Sequence, residues 1–333
     1  MLLSMIRAEK SLTPPRGKTL ANANTVTPVR PLVPVWAVPS GPVESDAEAA
    51  YLAGSALNSL DNLVRSGAPW LGAWRHRLAL KAAAVTVKLL RRPEDEAALR
   101  DAWVLRQPGD ALGPAGNVLL AWRKLSGRSL PLSREDLQMV ADLLGVGGSA
   151  AFGALLFAGI ADDVRAGMPA PLVAARAGAG VMRKDPQAET LAWWVADLAL
   201  SWRMGWTPAV PLLGLQVHAP LLRAGPDRRR GRPGDPLFER AACLAAALGA
   251  AEACRLAASM AQQAERLRAV EPKLRSKAAG GVIALLMTDD AVSGSLTTRT
   301  MTRWASRRLF ERLHQFEAVR ELSGRPSFRL YGL

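Results

Sequence analysis

Cysteine is almost missing from this chain, with only Cys243 and Cys254 in 333 residues. The two lie in one helical stretch, on one face but about 16 Å apart at about 1.5 Å of rise per residue. That is too far to bridge, which excludes a disulfide framework and leaves two small core thiols in a reducing compartment. Histidine is equally scarce: His76, His218 and His314 sit on separate elements, none with a Cys or His at ligand spacing. A zinc site of ordinary spacing is therefore excluded. Strand-like alternation is absent except near the end of the chain, which argues against a sheet-based fold. There is no nucleophile elbow, because Gly148-Ser149-Ala150 lacks the second glycine, and no phosphate-cradling glycine loop leads into a helix. The acid pairs Asp162-Asp163 and Asp289-Asp290 read as capping or solvated groups. No catalytic residue, cofactor or metal ligand is assigned on these signals, and catalysis is not expected.

Long uncharged runs are also few. Leu143 to Ala161 is one, but Gly145-Val146-Gly147-Gly148-Ser149 interrupts it and acids rather than basic anchors flank it. Two buried helices joined by a glycine turn are expected there, and no membrane span. The N-terminal apolar stretch, Met1 to Ile6, is too short for a signal sequence and has no basic region before it.

What the chain does have is apolar mass and positive charge. Hydrophobic residues make up 49% of it, enough for a sizeable core, and the net charge of +14 favours an anionic partner. Aromatic usage is skewed, with ten Trp against six Phe and two Tyr. Residues 1–42 hold seven prolines and little periodicity, so they read as a mobile basic leader. Within it, Val33-Pro34-Val35-Trp36 is a candidate extended segment docking on the body.

From residue 43 to about 271 the pattern is an all-α body of helices punctuated by Gly and Pro. Ser45-Asp46-Ala47-Glu48 reads as a capping box, followed by a helix with Leu52, Ala56, Leu60 and Leu63 on one stripe. Trp70, Trp74, Leu78 and Ala82 carry the next. Pro93 followed by acids marks a third helix start, Ser133 a cap, and Asp185-Pro186 another start. Asp235-Pro236 reads as the cap and first turn of the longest, alanine-rich helix, running to about Val270.

Two basic clusters stand out. Arg228-Arg229-Arg230-Gly231-Arg232 can be a phosphate grip or a solvated loop. The stretch from residue 273 to 333 is more organised: a helix-like segment Lys273–Met287, a polar hinge, a basic helix Thr302–Phe316, and a hairpin from Ala318 to Tyr331. Helix, helix, two-stranded wing is the order of a winged helix-turn-helix. On the basic helix, Trp304, Ala305, Leu309, Phe310, Leu313 and Phe316 are expected to form the apolar side, with Trp304 buried. Arg303, Ser306, Arg307 and Glu311 are expected to face outward, Arg308 and Arg312 flank them, and Arg325 and Arg329 lie on the wing; the six arginines are the candidate contacts to double-stranded DNA. The alternative use of the same module is packing or protein assembly. The hinge Ala291 to Thr298 is a poor second helix, being rich in Gly and hydroxyl residues.

Several motifs together carry a resemblance: Pro34-Val35-Trp36-Ala37, Pro69 to Arg75, Asp95 to Asp101, Arg307 to Leu313, Arg320 to Arg325, and Phe328 to Leu333. By these the chain, from about residue 32 onwards, resembles the domain of unknown function 1403 family, known chiefly from rhizobia and related alphaproteobacteria. The resemblance implies a bacterial cytoplasmic setting and brings no activity with it. The expected architecture is mostly α, a multi-helical bundle-like body with a small C-terminal winged-helix unit at 273–333. The expected role is a DNA-binding accessory or regulatory protein, with a helical scaffold as the alternative.

Overall fold

A computed structural model describes residues 32–333 apart from 108, 131, 148–149, 225–228, 275–277 and 326–327, with the backbone alone described at 150–152 and 224. Most of the leader, and Arg228 of the arginine run, lie outside the described residues. The architecture is mostly helical. Helices α1 (Asp46–Val64) and α9 (Phe238–Val270) pack side by side, and α9 also packs on α7 (Ala170–Lys184). Helix α8 (Glu189–Met204) lies against α7, while α2 (Leu71–Leu89) packs on α4 (Gly113–Gly127), with α3 (Glu96–Leu105) beside both. Helices α5 (Arg134–Leu143) and α6 (Ala150–Arg165) complete the body.

Alanine lines much of α9, letting neighbouring backbones come close; Gly249 meets the Leu212 carbonyl, which an added Cβ would approach to 2.7 Å. Helices packed through small side chains leave gaps, and the tryptophans fill them. Trp74, Trp122, Trp193, Trp194 and Trp206 are buried, and each indole N–H donates to an acceptor. Trp74 donates to the Ala253 carbonyl on α9 (3.0 Å) and Trp194 to that of Ala121 on α4 (3.0 Å). Large volume with one satisfiable donor makes Trp suited to such positions. Cys243 and Cys254 are buried and unpaired, and burial pushes their thiols up to about 11 and about 12.

One buried carboxylate organises the loop after α8. Asp197 accepts the backbone N–H groups of Leu212 (2.9 Å), Leu213 (2.7 Å) and Gly214 (2.9 Å), so the turn at Gly214–Gln216 closes around it. Burial pushes its carboxyl up to about 7, against the three donors that favour the charged form.

Local caps differ from expectation in instructive places. Ser45 accepts from the Glu48 N–H (3.3 Å) as expected, and Ser133 forms a full capping box with Asp136. Helix α3 starts at Glu96 with Asp95 as its cap, not at Pro93. Asp235 does not cap α9; its carboxylate accepts from the Arg232 N–H (2.7 Å) in the preceding turn, and the helix begins at Phe238. Val33 and Ala37 dock on the body as expected, but through a 3-10 turn at Val35–Ala37 rather than an extended strand. The uncharged run Leu143 to Ala161 does not make two buried helices: only Leu143 belongs to α5, the rest of the helical part is α6, and Leu155 on α6 is 74% exposed. The segment Phe238–Lys273 is long and apolar enough to cross a membrane, yet 72% of its apolar window is buried inside the fold.

The chain ends in a small mixed unit. Helix α10 (Ala279–Thr288) leads into strand β3 (Val292–Ser293), then helix α11 (Arg303–Gln315), β4 (Arg320–Glu321) and β5 (Leu330–Gly332). The sheet order is β3-β5-β4, all antiparallel, with Val292 opposite Tyr331 and Arg320 opposite Gly332. The hairpin of β4 and β5 agrees with the sequence, and Gly324 takes the left-handed conformation its turn requires (φ 58°). The third strand, β3, was not anticipated. Between β3 and α11 the backbone makes a turn closed by Thr298 and Met301. A second two-stranded hairpin, β1 (Arg223–Ala224) with β2 (Arg229–Arg230), lies in the body.

Candidate nucleic-acid interface

Helix α11 starts where Thr302 accepts the Ala305 N–H (3.3 Å) and ends where Glu317 turns left-handed (φ 52°). Ser306, Leu309, Phe310 and Leu313 are its buried residues. Phe310 stacks on Tyr331 of β5, ring centroids 4.8 Å apart, and the Ser306 hydroxyl donates to the Gly294 carbonyl beyond β3 (3.1 Å). Ser306, expected on the outward face, is instead buried, and that bond satisfies its hydroxyl there.

This stripe overturns the expected burial of Trp304. Successive residues turn by about 100°, so position 304 stands about 180° from Leu313 and about 140° from Leu309. Trp304 is 70% exposed, at the middle of the outward face with Arg308, Glu311 and Gln315. Ala305, also expected on the apolar side, is exposed, and Phe316 lies half-open beneath the cations of Arg312 and Lys273.

The arginines divide into three groups. Arg303 and Arg307 line one side of a cleft of about 280 Å³ between α11 and the sheet. Arg329 lines the other side, with Ser295 and Tyr331, while Glu311 of α11 brings one carboxylate into the same cleft. The Tyr331 hydroxyl, then Glu321 at 3.8 Å, hold the Arg329 guanidinium even more firmly charged. Arg308 and Arg312 lie on the opposite flank, with Arg312 donating to the Lys273 carbonyl (3.4 Å). Arg325, at the tip of the hairpin, is turned towards the body, 3.2 Å from Asp101 of α3 and 5.7 Å from the Phe328 ring. Arg303, Arg307 and Arg308 have no carboxylate partner among the described residues.

A buried charge hub fixes this unit to the body. Asp290, between α10 and β3, accepts from Arg100 of α3 (2.6 Å) and is in direct ion-pair contact with Arg77 of α2. Burial would raise its carboxyl, but those two guanidinium charges outweigh it and hold it below the usual range. Half-buried Asp289 pairs with Arg123 of α4 (3.0 Å) and with His76 (3.5 Å). There too burial is outweighed, by the His76 hydrogen bond and the Arg123 charge, and the carboxyl lies well below its ordinary value. The sequence suggests capping or solvated acids; Asp289 does end α10, but both carboxylates are paired with cations of the body and Asp290 is buried. Gly332 of β5 sits against the Asp290 carbonyl, where an added Cβ would come within 2.5 Å.

The arginine run in the body is corrected as well. Arg230 and Arg232 both grip Glu189 of α8, and Arg232 also donates to the Pro186 carbonyl (3.1 Å). These cations tie a hairpin to a helix. Among the described residues no group of His, Cys, Asp and Glu is placed to hold a metal ion. No curated protein matches the chain. A family model does, over residues 21–333, and the chain belongs to that family, described as a protein of unknown function, DUF1403.

Proposed function

We propose that this protein binds double-stranded DNA through its C-terminal unit, which we read as a winged helix without its second helix. The element order from α10 to β5 and the sheet order β3-β5-β4 support that reading, with the turn before α11 in place of the missing helix. The observation that carries it is the cleft in which Arg303 and Arg307 of α11 converge with Arg329 of the hairpin. Three guanidinium groups from two elements around one concavity match a phosphate backbone, and neutralised phosphates release counterions. Arg308 and Arg312 widen the positive face, and Arg325 stands at its margin. A regulatory or accessory role in a bacterial cytoplasm fits the unpaired thiols and this basic face.

Anisotropy of a labelled duplex, titrated between about 50 and about 200 mM salt, tests the proposal. Affinity should fall steeply with salt, and Arg303→Ala or Arg307→Ala should each reduce the slope by about one. No binding at low salt would leave the second reading, a helical assembly protein. Exposed Trp304 and the inward-turned Arg325 favour that alternative, and sedimentation would then show self-association or a protein complex lost in Trp304→Ala.

A further inference from the structure

Trp304 is the feature that phosphate binding leaves unexplained. An indole with 70% of its surface exposed, on a helix whose other large apolar side chains are mostly buried, is out of place on a face that only grips a backbone. Its surroundings are specific. The Arg307 guanidinium lies over the ring, 5.5 Å from its centre, and the same side chain lines the arginine cleft with Arg303 and Arg329. A phosphate held by Arg307 would therefore leave its own nucleoside beside the indole. One ring face meets a cation, and the exposed remainder offers a flat apolar platform.

In a continuous duplex the base faces are covered by stacking and only their edges reach the grooves. An indole cannot stack on an edge. It can stack on a base that has left the helix, as aromatic platforms do in proteins that hold single strands. The turn between β3 and α11 points the same way, since a helix at this place is what crosses the backbone when a recognition helix is seated in the major groove. Resting on the DNA-binding reading, we infer that the partner presents an unpaired base next to duplex, and that Trp304 stacks on it while Arg303, Arg307 and Arg329 hold the adjoining phosphate.

The full chain should be titrated with three labelled DNAs of one length: a continuous duplex, the same duplex with a single bulged adenine, and a single strand. Wild type should bind the bulged duplex about tenfold more tightly than the continuous one, within the range of one base stacked on an aromatic ring. Trp304→Phe should keep most of that preference. Trp304→Ala should abolish it while leaving affinity for the continuous duplex within about threefold. Equal wild-type affinity for bulged and continuous duplex would overturn the inference, as would an equal loss on every DNA in Trp304→Ala. Tight binding to the single strand alone would overturn the duplex component. Absence of binding to any of the three at low salt is a different failure, because it removes the DNA-binding proposal itself. Self-association lost in Trp304→Ala, without any bulge preference, would assign the indole to a protein contact instead.

Discussion

The chain holds two dense arginine clusters, and they are put to opposite use. Arg230 and Arg232, in the densest basic run of the sequence, share the carboxylate of Glu189 and fasten a hairpin to α8. Arg303, Arg307 and Arg308 on α11 are in no ion pair among the described residues, and the single carboxylate beside them, Glu311, is outnumbered. Density of positive charge does not distinguish a binding surface from a structural clamp; the presence of an internal counter-charge does. A neutralised cation has little field left to offer a phosphate, whereas an unbalanced one keeps its full attraction.

The largest test of that contrast is at the most completely balanced arginines. Asp290→Ala would strand Arg77 and Arg100 in a buried site, at a cost of about 3–5 kcal/mol in urea unfolding. Because the Asp289 and Asp290 carboxyls are held below their unfolded values, their contribution is present in full above about pH 4. It is lost as pH falls through the depressed folded values, so acid should loosen α10 and the sheet from α2, α3 and α4. Tryptophan fluorescence during an acid titration, compared between wild type and Asp290→Asn, would follow this.

Glu189→Ala comes next, with an expected destabilisation of about 1–3 kcal/mol from two orphaned guanidinium groups. It also sharpens the contrast: with their counter-charge removed, Arg230 and Arg232 should raise low-salt affinity for any duplex. Unchanged duplex affinity would show that more than an absent acid defines the α11 surface. Arg303→Ala and Arg307→Ala should reverse this pattern, each weakening DNA binding by about 1–3 kcal/mol with stability changed by less than about 0.5 kcal/mol. The smallest effect is expected for Trp304→Ala, which should alter the free energy of urea unfolding by less than about 0.5 kcal/mol because its indole is exposed.

Much of the body was legible in the sequence because its signals are local and repeated. The long apolar periodicity of α2 and α9 and the cap at Ser133 place those elements within a few residues. Helix α7 was not anticipated: its alanines and glycines give weak contrast between faces, and what defines it is packing, with Gly178 against the Ala192 carbonyl of α8. Strand β3 is two residues long, too short to show any alternation. The α11 arginines could be picked out, yet Trp304 was assigned to the wrong side. Hydrophobicity alone puts a tryptophan inward, whereas Ser306 holds the core position through a hydrogen bond to Gly294 that no local pattern encodes. The Asp289–Asp290 hub joins residues more than a hundred and sixty positions apart, from Arg123 at the nearest to Arg77 at the farthest among its arginines. Such a partnership is decided by tertiary structure.

Asp197 carries a consequence for calorimetry. Its carboxyl titrates near 7 in the folded protein and near 4 once exposed, so around pH 5.5 the native state holds a proton that the unfolded chain gives up. Unfolding there should release about one more proton in wild type than in Asp197→Asn, and the buffer that takes up this proton will subtract its ionisation heat from the measured enthalpy. Scans in two buffers of different ionisation heat should diverge more for wild type than for the variant, and its stability should decline relative to the variant's as pH rises from about 4 to about 7. Identical divergence in both proteins would mean that Asp197 is ionised in its buried site, with the three N–H groups of Leu212, Leu213 and Gly214 carrying its full charge.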